Sequence, residues 1–95
     1  MPDIRIVKAV RFPPDEVVRR LESELLGMPN LKMFIETHRV VGHTIEFGGS
    51  RGIEGSARAE DGRLVVDIRL SEMTRMMRRM IESRVGEALD RIFTA

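Results

Sequence analysis

The sequence predicts an α+β fold: a single antiparallel sheet of about five strands, with an N-terminal helix and a long C-terminal helix packed on one face, in the order β-α-β-β-β-β-α. Three observations carry that expectation. Segments around Ile4–Phe12, Thr44–Phe47, Ile53–Ala59 and Leu64–Leu70 alternate in character with period two. An Asp61-Gly62 dipeptide joins the last two of them, and apolar residues from Met73 onwards recur at helical spacing. The chain of 95 residues makes one domain, spanning 1–95. In a domain of this size roughly a third of the unfolded chain's surface stays wet, so a deep active-site cavity is not expected.

In the first strand Ile4, Ile6, Val10 and Phe12 form the dominant apolar face, interrupted by Lys8, and Arg5, Val7, Ala9 and Arg11 form the other. Pro13-Pro14 ends it. Pro14, Asp15 and Glu16 suit the first turn of a helix, where a missing N–H costs nothing and carboxylates meet the positive end of the dipole. Val17, Val18, Leu21 and Leu25 then give that helix one buried stripe, closed by Gly27 and Pro29. The span from Leu31 to Val41 fits two patterns. Leu31, Phe34, Ile35 and His38 suit a helical face, while Met33, Ile35, Thr37 and Arg39 suit a strand, which is the preferred reading. Thr44–Phe47 alternates again, and Gly48-Gly49-Ser50-Arg51-Gly52 reads as a turn or bulged loop.

A two-residue turn at Asp61-Gly62, with positive φ expected at both positions, fixes the register of the next hairpin. Glu60 then faces Arg63, Ala59 faces Leu64, Ala57 faces Val66, Gly55 faces Ile68 and Ile53 faces Leu70. On the opposite, wet side Glu54 meets Arg69 as a charge pair, Ser56 meets Asp67, and Arg58 lies across from Val65. Gly55, Ala57 and Ala59 make a shallow trough into which the terminal helix is expected to settle. Ser71 is that helix's N-cap and Glu72 stands in its first turn. Met73, Met77, Met80 or Ile81, Val85, Ala88, Leu89 and Ile92 form its apolar stripe, and the helix runs from Met73 to Phe93. Gly86 within it suggests a close packing contact, since glycine costs roughly 1 kcal/mol there relative to alanine.

Composition excludes several function classes. With no cysteine, disulfides, thiolate nucleophiles and sulfur-ligated zinc or iron are out. A net charge of +1 gives no global field for nucleic acid, and the four phenylalanines sit among apolar neighbours rather than on a stacking platform. The N-terminus Met1-Pro2-Asp3-Ile4-Arg5 lacks a secretory pattern and no window reaches transmembrane length, so a cytoplasmic protein is expected. His38 and His43 with Glu36 could be imagined as a metal site, yet on a continuous strand a five-residue separation sends the two rings to opposite faces, and no metal or cofactor is expected. Ser50 lies in a glycine-rich loop without a phosphate-binding ending. The other serines have no base partner, and Glu22 with Glu24 or Glu36 with Glu46 reads as solvated surface, so no catalytic residue is assigned and an enzyme is not expected.

Ile45-Glu46-Phe47 before a Gly/Ser turn, Gly52-Ile53-Glu54-Gly55 opening a strand, the short turn before Arg63-Leu64-Val65-Val66, and a long last helix with Ile81-Glu82 and Ala88-Leu89-Asp90 form a set. Through them the chain resembles, over most of its length, the small bacterial proteins of the polyhydroxyalkanoic acid system family. The resemblance implies an accessory role beside polyester storage granules, with a granule surface or granule protein as the partner. The topology also looks like a reduced helix-grip domain, which implies a lipid or ligand pocket between sheet and helix.

Three expectations result. Four of the seven methionines lie between Met73 and Met80, interleaved with Arg75, Arg78 and Arg79. Met73, Met76, Met77, Arg78, Arg79 and Met80 are therefore the candidate surface for a partner or an apolar-anionic layer, although the same composition suits an adaptable core helix. As an alternative, Phe34, Ile45, Phe47, Gly55 and Ala57 would line a ligand pocket. Homo-oligomerisation through a sheet edge or the terminal helix is the third.

Overall fold

In the computed structural model, which describes residues 2–25, 35–49 and 52–93, the period-two segments are strands. The elements are β1 (Ile4–Ala9), α1 (Pro14–Arg20) continued by a π-helical turn (Leu21–Leu25), β2 (Thr37–Val41), β3 (Thr44–Gly49), β4 (Ile53–Glu60), β5 (Arg63–Leu70), α2 (Glu72–Arg75) and α3 (Arg78–Ile92). The five strands form one sheet in the order β1-β5-β4-β3-β2, and every neighbouring pair is antiparallel. The α+β architecture is as the sequence predicts.

The β4–β5 register matches the expectation at every position from Ile53↔Leu70 to Glu60↔Arg63. The turn itself differs. Only Gly62 takes a positive φ, 81°, and Asp61 does not, because the left-handed region costs a side-chain-bearing residue roughly 1–2 kcal/mol that glycine avoids. On the wet face Glu54 and Arg69 are opposite in register but do not close into an ion pair. The charges that do engage there are Arg5, which donates to both carboxylate oxygens of Asp67 at 2.6 and 3.1 Å, and Glu60, which accepts from Arg58 and Arg63. Arg5 is held above its ordinary pKa by the Asp67 hydrogen bond and charge, and Glu60 below its own by the hydrogen bonds from Arg63 and Arg58.

The inner face carries the core. Ile4, Ile45, Ile53, Ala57, Ala59, Leu64, Val66 and Ile68 meet Val17, Val18 and Leu21 from the first helix and Ile81, Val85, Ala88, Leu89 and Ile92 from α3. Lys8, the interruption in the first apolar face, projects onto this side, and its Nζ lies 2.7 Å from Oδ1 of Asp90 on α3. At the rim Phe12 and Phe93 rings lie 6.1 Å apart, with the Arg20 guanidinium 4.0 Å from the Phe12 centroid.

Four expectations about packing are corrected. The helix that approaches β4 most closely is α1, whereas α3 lies nearest β1 and the π-helical turn. The backbone of α1 thus comes nearest the strand that carries Ala57 and Ala59, while Ala57 also lines a crevice beneath α3. The place left open by Gly55 is filled from within the sheet by the Phe47 ring. Gly86 makes no close contact, since a Cβ there would meet nothing within 4 Å. The terminal helix is not continuous from Met73 to Phe93, because it breaks at Met76–Met77 into α2 and α3.

Of the span Leu31–Val41, residues 31–34 lie outside the described residues, as do Gly27 and Pro29, and Thr37–Val41 is the edge strand β2. His43 belongs to a turn whose Gly42 has φ 59°, so the two histidines are not on one continuous strand. Both reach the first helix instead of diverging. His38 Nε2 lies 3.2 Å from Glu22 Oε2, and His43 Nε2 lies 2.6 Å from Asp15 Oδ1.

Candidate functional site

The break between α2 and α3 builds an elbow at one end of the sheet. Ser71 caps α2 by accepting from the Thr74 backbone N–H at 3.3 Å, and its own N–H donates to the Gly52 carbonyl at 2.8 Å. Thr74, the one buried polar residue among those described, donates its hydroxyl to the same carbonyl at 3.2 Å. Gly52 is required there: its φ is 82°, and a Cβ would sit 2.3 Å from Ser71 Oγ. Asp3 adds a tie by accepting from the Leu70 N–H at 2.7 Å, with the Arg75 guanidinium 3.5 Å away. The arm before the bend is therefore fixed to the sheet.

At the bend Met77 adopts φ −100°, ψ 15°, and its N–H bonds back to Thr74 at 2.9 Å before Ile81 N–H reopens the helical ladder to Met77. Neither glycine nor proline stands there, so the anchored Thr74 on one side and the buried Ile81 on the other impose the break. The buried positions run Thr74, Ile81, Val85, Ala88, Leu89 and Ile92. The methionines lie off that stripe. Met73 is 79% exposed, Met76 91%, Met77 36% and Met80 42%, and Arg78 and Arg79 are exposed beside them. All six residues of the candidate surface are thus solvent-facing neighbours in the elbow. From Met73 to Arg84 four arginines stand against Glu82 alone, a local net of +3. Arg75 reaches Asp3, while Arg78, Arg79 and Arg84 pair with no described acidic residue.

The candidate pocket residues are only partly gathered. Phe47 and Ala57 line an apolar crevice beneath α3 together with Leu21, Val66, Ile81 and Leu89, and Met80 and Arg84 are also among its walls. Ile45 is buried elsewhere in the core, Gly55 lies under the Phe47 ring, and Phe34 is outside the described residues. The crevice measures about 40 Å³, against the 300 Å³ or more that small-molecule sites occupy. Among the described residues it is therefore far smaller than a site for an acyl chain.

The outer sheet face holds a feature that sequence reasoning missed, an open polar depression of about 570 Å³ lined by Arg39, Glu46, Glu54, Ser56, Asp67 and Arg69 among others. Its signal was present in the alternation, since Gly48 and Ser56 are small outer-face residues flanked by long charged ones. Arg39 is tied to Glu46 at 2.7 Å and Asp67 to Arg5, so these charges largely satisfy one another. Among the described residues no three of His, Asp and Glu converge as metal ligands would, and no helix is long and apolar enough to cross a membrane.

Residues 7–93, which hold the elbow and all of the sheet except the start of β1, match the family model described as "Putative polyhydroxyalkanoic acid system protein". No curated protein and no solved structure matches the chain. The match covers nearly the whole sequence, and the chain belongs to this family of polyhydroxyalkanoic acid system proteins.

Proposed function

We propose that the chain is a non-enzymatic accessory protein of the polyhydroxyalkanoic acid system, working in the cytoplasm, and that its Met/Arg elbow docks on an apolar surface carrying negative charge, such as that of a storage granule. The observation that carries this reading is the exposure of Met76 and Met73, at 91% and 79%, beside arginines that lack acidic partners among the described residues. A core role would have turned those side chains inward. Family membership supplies the granule context as support.

The magnitudes suit reversible docking. Fully burying a methionine side chain yields roughly 1.5–3 kcal/mol, and each arginine near an anionic surface adds about 1 kcal/mol. Four partly buried methionines with three or four arginines would give several kcal/mol after the cost of immobilisation, comparable with an interfacial amphipathic helix and far from a membrane anchor. The thioether is flexible and polarisable, so the row can conform to a surface without fixed shape.

Co-sedimentation with isolated polyester granules tests the reading. Replacing Met76 and Met77 with Ser and Arg78 and Arg79 with Gln is expected to lower the bound fraction severalfold while leaving the far-ultraviolet dichroism and melting curve unchanged. Equal partition of both proteins would remove the elbow from the binding surface.

A further inference from the structure

Resting on that docking reading, we infer that Met73, Met76, Met77 and Met80 form a reversible oxidation site, at which a peroxide-class oxidant converts thioethers to sulfoxides and releases the elbow from its surface. Three observations lead there. Susceptibility of methionine follows exposure of its sulfur, and all four residues are exposed, two of them almost fully. The chain contains no cysteine, so no thiolate competes for the oxidant. Met76 and Met77 are adjacent, with Met73 and Met80 three residues to either side, and all four lie off the stripe formed by Ile81, Val85, Ala88, Leu89 and Ile92. Oxidation at Met73 and Met76 changes the surface alone, and Met80 meets the core only at the mouth of the crevice beneath α3.

With hydrogen peroxide, a sulfur lone pair attacks one oxygen, an S–O bond forms as the O–O bond breaks, and the proton on the attacked oxygen passes to the departing hydroxide, which leaves as water. The thioether loses two electrons to the peroxide. The product is a polar, chiral group in place of an apolar one, and sulfoxide reductases with a thiol reductant restore it. Arg75, Arg78, Arg79 and Arg84 are untouched. Oxidised protein therefore keeps its electrostatic attraction and loses its apolar attachment, so residual binding becomes more sensitive to salt.

The test uses the full chain and vesicles of phosphatidylglycerol and phosphatidylcholine in equal parts, before and after hydrogen peroxide, with peptide mass spectrometry to place each added oxygen. Oxidised protein is expected to bind roughly tenfold or more weakly, with a steeper salt dependence, an unchanged melting curve, and recovery after reductase treatment. A variant with leucine at 73, 76, 77 and 80 is expected to lose its response to peroxide, which separates these sulfurs from Met1, Met28 and Met33. If reduced protein binds and the oxidised form binds equally well, or if the leucine variant still responds, the oxidation site is overturned and the docking surface stands. If reduced protein does not bind at all, both fall together.

Discussion

The ring of Phe47 on β3 covers the backbone of Gly55, its cross-strand partner on β4: a Cβ at Gly55 would lie 2.6 Å from ring Cζ and 2.5 Å from the Asp67 carbonyl oxygen. An aromatic side chain thus supplies, from the neighbouring strand, the apolar cover that glycine lacks. Gly55→Ala is expected to cost about 1–3 kcal/mol in chemical denaturation, through overpacking. Adding Phe47→Leu should recover only part of that loss, because the carbonyl clash remains.

Gly86 presents the opposite case. It lies inside α3 with ordinary helical backbone and open space around its Cα. Gly86→Ala is expected to stabilise the fold by about 0.5–1 kcal/mol, seen as a higher denaturation midpoint with an unchanged slope. Destabilisation would reveal a neighbour at that position.

Glu60 gives the hairpin a pH signature. Its carboxylate is held below the ordinary glutamate range by Arg63 and Arg58, so the folded state binds its proton less readily than the unfolded chain does. That stabilisation is fully present above the unfolded-state value, at pH above about 5.5, and fades as pH falls through the glutamate range and below it. Wild type and Glu60→Gln should therefore differ in urea midpoint at neutral pH and converge in acid. A gap that widened towards low pH would contradict the assignment.

The β4–β5 hairpin was legible in the sequence because a two-residue loop and period-two alternation leave only one register that buries Ile53, Ala57, Leu64 and Val66 together. What the small residues accommodate was not legible. Ala57 and Ala59 announce that something approaches closely, but either amphipathic helix satisfies the pattern, and in the fold α1 comes nearest β4 while Ala57 also meets the crevice beneath α3. The break at Met76–Met77 was hidden for a similar reason: helical spacing continues through it, and the flanking anchors are the buried Ile81 and a Thr74 bonded to Gly52, a residue 22 positions away. The histidines were misplaced because a turn at Gly42 resets the alternation on which the opposite-face argument depended. The composition of the elbow was plain from the sequence. Which of its methionines face water required the buried Thr74 and Ile81 to be located first.

The docking claim has a direct optical test, because the chain contains no tryptophan or tyrosine. Met76→Trp places a single polarity reporter at the most exposed point of the elbow, and Glu54→Trp places one on the outer sheet face. On titration with phosphatidylglycerol vesicles, emission from Trp at 76 should move to shorter wavelength and become protected from iodide quenching, while emission from Trp at 54 stays unchanged. Binding that leaves the reporter at 76 in water, or that shifts the one at 54 instead, would contradict the elbow as the contact surface.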